Sequence, residues 1–213
     1  MEIKGFFFDL DGTLIDSMEG HYSSWKKILN SEYSYELNKE QFMHLEGTKL
    51  NVLIKNLLSE ANIIISNQEM EKLIHEKDID YQQRNKTIFY PNTIEVIKFL
   101  KIKKIKTSIV SAGSKKRIMS TLPNFFLKLF DHIISGDECK QGKPNPEPYL
   151  NALSKCKLLS KNCCVLENAP LGIESAIKAN IFTIAITNTL KKNKLSKANK
   201  IISDIIELKE LFK

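Results

Sequence analysis

The sequence lacks any unbroken apolar run long enough to cross a bilayer, so no membrane-spanning helix is expected. Its start does not show the succession of basic residues, apolar segment and small-residue cleavage site that marks a secretory signal, which makes the cytoplasm the expected location. Cysteine is scarce. Cys139, Cys156, Cys163 and Cys164 form no CxxC pair and have no histidine at metal-ligand spacing, which argues against a zinc site. Cys163 and Cys164 are adjacent in an apolar stretch, so on a strand they point to opposite faces as reduced packing residues. Internal repeats and low-complexity tracts are missing apart from a mild lysine and isoleucine bias. At 213 residues the chain therefore suits one sizeable core, or a core with a small accessory unit.

Positive charge is not lacking. A formal charge of +7 and a pI near 9.1 would attract nucleic acid if the basic residues formed a stripe. They are instead scattered, except in Lys191-Lys192-Asn193-Lys194-Leu195-Ser196-Lys197, and a solvated lysine-rich surface is the expectation. Such a surface also favours small anions such as phosphates. Neither a membrane nor nucleic acid is the expected partner, and the chain is expected to be a monomer. A non-catalytic binding protein that uses its basic surface is the competing class.

The most informative stretch is Phe6-Phe7-Phe8-Asp9-Leu10-Asp11-Gly12-Thr13-Leu14. A short apolar run that stops at two carboxylates and a glycine reads as a buried strand delivering acids to the loop beyond its carboxyl end. Open α/β sheets keep their chemistry there. Met18, Tyr22, Trp25, Ile28 and Leu29 then recur at helical spacing, with Ser17 as N-cap, and helical patterns continue over 40–45, 50–61 and 68–84. Ile63-Ile64-Ile65 fits either strand or helix. After the turn Tyr90-Pro91-Asn92 and a helix over 93–100, strands at 106–110, 132–135, 163–166, 181–186 and 200–203 alternate with helices at 115–122, 147–155, 171–179 and 205–212. Asn180 occupies the left-handed position after a helix. This alternation predicts a Rossmann-like α/β core with a parallel sheet, residues 1–15 and 89–213, and an inserted helical cap domain, residues 16–88, with a hinge at the two crossings.

Residues just past the strands should converge: Asp9 and Asp11, then Ser111-Ala112-Gly113-Ser114, then Glu167-Asn168, with Lys143 arriving in the proline-rich loop 141–148. Carboxylates, a hydroxyl, an ammonium and an amide at strand ends suit a phosphate held with a divalent cation, because Mg²⁺ prefers oxygen ligands with one or two carboxylates plus substrate phosphate.

Asp9-Leu10-Asp11-Gly12-Thr13, Ser111, Gly142-Lys143-Pro144 and Glu167-Asn168 resemble, in order, the four motifs of the haloacid dehalogenase superfamily of phosphohydrolases. The inserted helices resemble the small cap of the subgroup that holds β-phosphoglucomutase and its sugar-phosphatase relatives. The resemblance implies a Mg²⁺-dependent phosphatase, acting on a sugar phosphate or another small phosphorylated metabolite through an aspartyl-phosphate. Asp9 is then the nucleophile and Asp11 the acid and base, with a raised pKa supplied by a nearby carboxylate. Ser111, Ala112 and Lys143 hold the phosphate, and Asp9, Asp11 through its carbonyl, Glu167 and Asn168 hold the metal. Asn168 departs from the acidic residue commonly found there, which removes a negative charge. In the cap, His21 and Trp25, the loop Leu45-Glu46-Gly47-Thr48 with Lys49, and Lys77 ahead of Tyr81 are similar to substrate-binding positions. A β-phosphoglucomutase-like phosphotransferase is the alternative, opposed by Leu50 in place of the arginine that grips a second phosphate and by Ser114 in place of a lysine.

Overall fold

The computed structural model describes residues 2–45, 47–59, 61–84 and 86–212. Six strands, β1 (Gly5–Phe8), β2 (Lys106–Val110), β3 (His132–Ile134), β4 (Cys163–Glu167), β5 (Phe182–Ile186) and β6 (Lys200–Ile202), form one sheet in the order β3-β2-β1-β4-β5-β6. All neighbours are parallel. β1 is central, with Phe8 opposite Ile109 on one side and Leu166 on the other. Its alternation sends Phe6 and Phe8 to one apolar layer and Phe7 to the other. Burial on both faces explains why this strand reads as an unbroken apolar run.

Helices cover both faces. α5 (Thr93–Ile102), α6 (Lys115–Thr121) and the short α7 (Asn124–Leu127), which the periodicity does not reveal, pack with the C-terminal segment on the Phe6 side. α8 (Glu147–Cys156) and α9 (Pro170–Lys178) cover the Phe7 side. Cys164 lies in the first layer and Cys163 in the second, both as free thiols. Asn180 is left-handed, with φ of 57°. Residues Ile205–Phe212 wind as 3₁₀ turns rather than the expected α-helix, with Glu207 and Asp204 side chains accepting the amides at the start.

Between β1 and α5 lie α1 (Met18–Tyr33), α2 (Lys39–His44), α3 (Leu50–Ser59) and α4 (Asn67–Arg84). They share a cluster of their own, built around Trp25, Leu29, Phe42, Ile54, Leu57 and Leu73. The chain leaves and re-enters through adjacent segments: Asp16 donates its amide to Ile88 at 2.8 Å and Tyr90 donates to Leu14 at 3.1 Å. The isoleucine run 63–65 is neither helix nor strand; Ile63 and Ile65 lean on this cluster while Ile64 is 96% exposed. No described helix is long and apolar enough to cross a membrane.

Candidate active site

At the carboxyl end of β1 the backbone turns back on itself. Leu10 accepts amide bonds from Thr13, Leu14 and Ile15, and Gly12 sits at φ of 80°, a left-handed position that glycine adopts without Cβ strain. The turn presents Asp9 and Asp11, two residues apart, toward one cavity. Asp9 is held from two sides: its Oδ1 accepts from Lys143 Nζ at 2.7 Å and its Oδ2 from Thr13 Oγ1 at 3.1 Å. Thr13 Oγ1 is also 2.8 Å from Asn168 Oδ1, so the amide oxygen faces the Asp9 side.

Lys143 does more than approach Asp9. Its buried ammonium donates to Glu167 Oε1 at 2.6 Å and to the Val110 carbonyl at 3.1 Å, above the Tyr149 ring at 5.3 Å. Glu167 itself is fully engaged. Oε1 also accepts from the Tyr149 hydroxyl at 2.7 Å, and Oε2 accepts the amides of Asn168 and Ala169 at the start of α9. A Cβ on Gly172 would come within 1.8 Å of Oε1, so glycine there makes room for the carboxylate. The structure thus places Glu167 behind Lys143, and Asn168, not Glu167, among the cavity-lining residues. Two buried carboxylates share one ammonium. Burial pushes the Asp9 carboxyl up to about 7, Lys143 opposes this and Glu167 adds to it. The anions on either side raise the pKa of Lys143 although burial alone would lower it.

Asp11 has a different setting. Its Oδ1 accepts from Ser17 Oγ at 2.8 Å, from Arg117 Nη1 at 3.2 Å and from His21 Nε2 at 3.0 Å, and its Oδ2 from Arg117 Nη2 at 2.5 Å and Ser111 Oγ at 3.4 Å. Ser17 therefore spends its hydroxyl on Asp11 and not on capping α1. The raised pKa expected for Asp11 is overturned. Burial pushes upward, but the Arg117 guanidinium, with His21, holds this carboxyl well below the usual range. Arg117 escapes the sequence reading, although Ser114-Lys115-Lys116-Arg117 carries a usable signal: Ser114 caps α6 and accepts the Arg117 amide at 3.2 Å.

The cavity, of about 60 Å³, lies between the sheet ends and α1–α4. Ser111, Ala112, His21, Trp25, Gly47 and Lys77 join Asp9, Asp11, Asn168 and Arg117 in its wall, with Met18, Phe42, Leu45, Leu50 and Leu53 as the apolar side. His21 stacks on Tyr81 at 4.0 Å; burial, reinforced by the positive charge of Lys77, lowers its pKa to about 4. Its buried Nδ1 has no hydrogen-bond partner among the described residues. Lys77 is buried over Trp25 and Tyr81, 3.1 Å from Asp78, and burial lowers its pKa to about 8. Gly47, at φ of 83°, backs onto Lys143 and Gly172, and Thr48 bridges to Lys143 in parallel register. Lys49 is not in the cavity wall: its ammonium donates to the carbonyls of Cys139 at 2.7 Å and Lys140 at 3.4 Å. Glu46, from the same loop, lies outside the described residues.

The model of the haloacid dehalogenase-like hydrolases matches residues 6–186, a span that contains every strand-end residue just described. The chain belongs to this family. Hexitol phosphatase A of Escherichia coli is 26% identical to this hydrolase over 212 residues, covering 98% of this chain and 94% of that one. β-Phosphoglucomutase of Bacillus subtilis is 25% identical over 191 residues, 86% and 83% of the two chains. Among solved structures, β-phosphoglucomutase from Clostridium difficile superposes with a TM-score of 0.85 at 25% identity, over 98% of this chain and 96% of that one.

Two outcomes follow for this hydrolase. Asp11→Ala leaves the Arg117 guanidinium buried without its counter-ion and should lower the unfolding free energy by about 3 kcal/mol. Adding Arg117→Met should restore most of it in urea titrations. His21 protonates near 6.5 when unfolded but only near 4 when folded, so the unfolded chain binds the extra proton between these values. This contribution of His21 falls as pH drops from 6.5 toward 4, while Asp9, whose carboxyl is pushed up to about 7, takes its proton in the folded chain and works the other way over the same range. His21→Gln should therefore gain stability relative to the parent chain as pH falls from 6.5 to 4 in paired midpoint-against-pH curves.

Proposed function

We propose that this hydrolase is a Mg²⁺-dependent phosphatase of a small phosphorylated metabolite, sugar phosphates being the class favoured by its cap residues, and that Asp9 carries the phosphoryl group. The observation behind this reading is the setting of Asp9: buried at the end of the central strand, paired with Lys143 at 2.7 Å, and facing a cavity it shares with Asp11 and Ser111.

The donor set fits a hard divalent cation. Two carboxylates, Asp9 and Glu167, share the single ammonium of Lys143 in a buried site; burial raises the Asp9 pKa, and the charge of Glu167 adds to that rise against the opposing Lys143. The Asp9 carboxylate, the Asp11 carbonyl and the Asn168 amide oxygen would hold Mg²⁺, with Glu167 acting through Lys143. Among the described residues no three His, Cys, Asp or Glu side chains converge as a metal centre, in keeping with a cation that takes few carboxylates. When bound, Mg²⁺ would offset the repulsion between the Asp9 carboxylate and the substrate phosphate.

Asp9 attacks phosphorus in line with the leaving oxygen. Lys143 and Ser111, with the backbone at Ala112, draw charge from the equatorial oxygens as it spreads in the transition state. Asp11, ionised in the resting site, takes up a proton brought in by the phosphate ester as its monoanion, passes it to the departing alkoxide, and, ionised again, accepts a proton from the water that cleaves the aspartyl-phosphate. Residues 16–88 act as a cap that closes over the phosphate and excludes bulk water. Phosphatase is favoured over mutase because Leu50 carries no charge and the Lys49 ammonium is occupied by the carbonyls of residues 139 and 140, so neither grips a second phosphate at that loop.

A screen of phosphorylated metabolites should show phosphate release that stops with a chelator and returns with Mg²⁺. Asp9→Asn should lower kcat about 10³-fold or more. Turnover by Asp9→Asn, or isomerised sugar phosphate without phosphate release, would overturn the reading.

A further inference from the structure

Arg117 is 3% exposed, its planar guanidinium reaches the cavity, and it grips both oxygens of one carboxylate, Asp11, from Nη1 and Nη2. The chain makes room for it. A Cβ on Gly113 would lie 2.1 Å from Nη2 and 2.6 Å from Cζ, although Gly113 has no unusual backbone conformation. A glycine kept for space, a helix cap that sets the Arg117 amide, and a hydrogen bond from Nη2 to Ser111 Oγ at 3.3 Å together make a built position.

Asp11 cannot serve the ester oxygen while every contact it makes stands. Its two oxygens accept from Ser17, His21, Ser111 and both ends of the Arg117 fork. Turning toward a substrate separates it from that fork, and a buried guanidinium stripped of its anion is strongly unfavourable. The cavity wall offers no replacement among the described residues. Its other carboxylate, Asp9, is committed to Lys143 and Thr13, and Asp78, which shares the adjoining pocket with Arg117 and acts on it through charge alone, is paired with Lys77 at 3.1 Å.

We propose that the substrate supplies the replacement: a carboxylate close to the ester oxygen, taken up by Arg117 as Asp11 turns to the leaving group. This rests on the phosphatase reading and narrows its substrate to a phosphate monoester of a small hydroxy acid or sugar acid. The fork already holds a carboxylate end-on with two donors, Nη1 and Nη2, a geometry that a planar carboxylate matches better than a hydroxyl does. Arg117 then reads the substrate as well as positioning Asp11, and its place beside Asp11 puts the recognised group within two or three carbons of the ester.

The test compares matched esters that differ only by carboxylate against CH₂OH: 2-phosphoglycolate with 2-hydroxyethyl phosphate, and 3-phosphoglycerate with glycerol 3-phosphate. p-Nitrophenyl phosphate serves as a general phosphatase probe, with Mg²⁺ throughout. The wild type should favour the acids by about 10- to 100-fold in kcat/KM, the range of a hydrogen bond to a charged group. Arg117→Met, and Gly113→Ala, which displaces an unaltered arginine, should each bring that ratio to within about threefold of unity, with Arg117→Lys between. Circular dichroism establishes that the variants are folded. Turnover of p-nitrophenyl phosphate with less than threefold preference in either pair overturns this inference and leaves the phosphatase reading standing. A wild-type preference that persists in folded Arg117→Met also overturns it. Glucose 6-phosphate is added as a sugar ester: its turnover with none of the five overturns this inference alone, and no turnover of any of the six removes the phosphatase reading and this inference with it.

Discussion

A single ammonium, that of Lys143, lies between two buried carboxylates, 2.7 Å from Asp9 and 2.6 Å from Glu167. Charges of this kind persist away from water only when they are paired and hydrogen-bonded on every side. The surrounding structure meets that condition point by point. Tyr149 and the first amides of α9 complete Glu167, Gly172 leaves the space, and the Val110 carbonyl completes Lys143. Three neighbouring strands, β2, β1 and β4, end together, so a loop acid, a strand-end acid and a lysine from a separate loop meet without side chains having to reach far.

Asp11 joins the sheet ends to the inserted helices. Ser17 and His21 come from the start of the insertion and Arg117 from the core helix after β2, and all three converge on one carboxylate. Two acids separated by one residue consequently sit in opposite electrostatic settings. Asp9 is drawn toward protonation by burial and by Glu167, while Asp11 is held ionised by Arg117. The roles proposed for them reverse these resting states: Asp9 must be ionised to attack phosphorus, and Asp11 must take up a proton before it can give one. Neutral His21, stacked on Tyr81, reaches Asp11 without adding a charge.

Much of the fold was legible because β1 is buried on both faces and the later strands alternate with helices, so period and burial agree. The strand-end residues were legible for a related reason: position after a parallel strand already says where a side chain goes. Direction was less visible. Lys49 adjoins the cavity loop, yet its long side chain finds the carbonyls of Cys139 and Lys140, partners some 90 residues away in sequence. Arg117 was hidden among three consecutive basic residues at the start of α6, of which only the third turns inward. The shift of Asp11 reversed its expected sign because the deciding charge is 106 positions distant. Local pattern carries the elements; pairing across the chain sets the electrostatics.

The central claim is that Asp9 takes the phosphoryl group covalently. During turnover of a good substrate, rapid quenching with borohydride converts an aspartyl-phosphate to homoserine, and peptide mass spectrometry locates it. Homoserine at position 9 is the predicted result. Vigorous turnover with position 9 unmodified, or modification at Asp11 instead, would contradict the account.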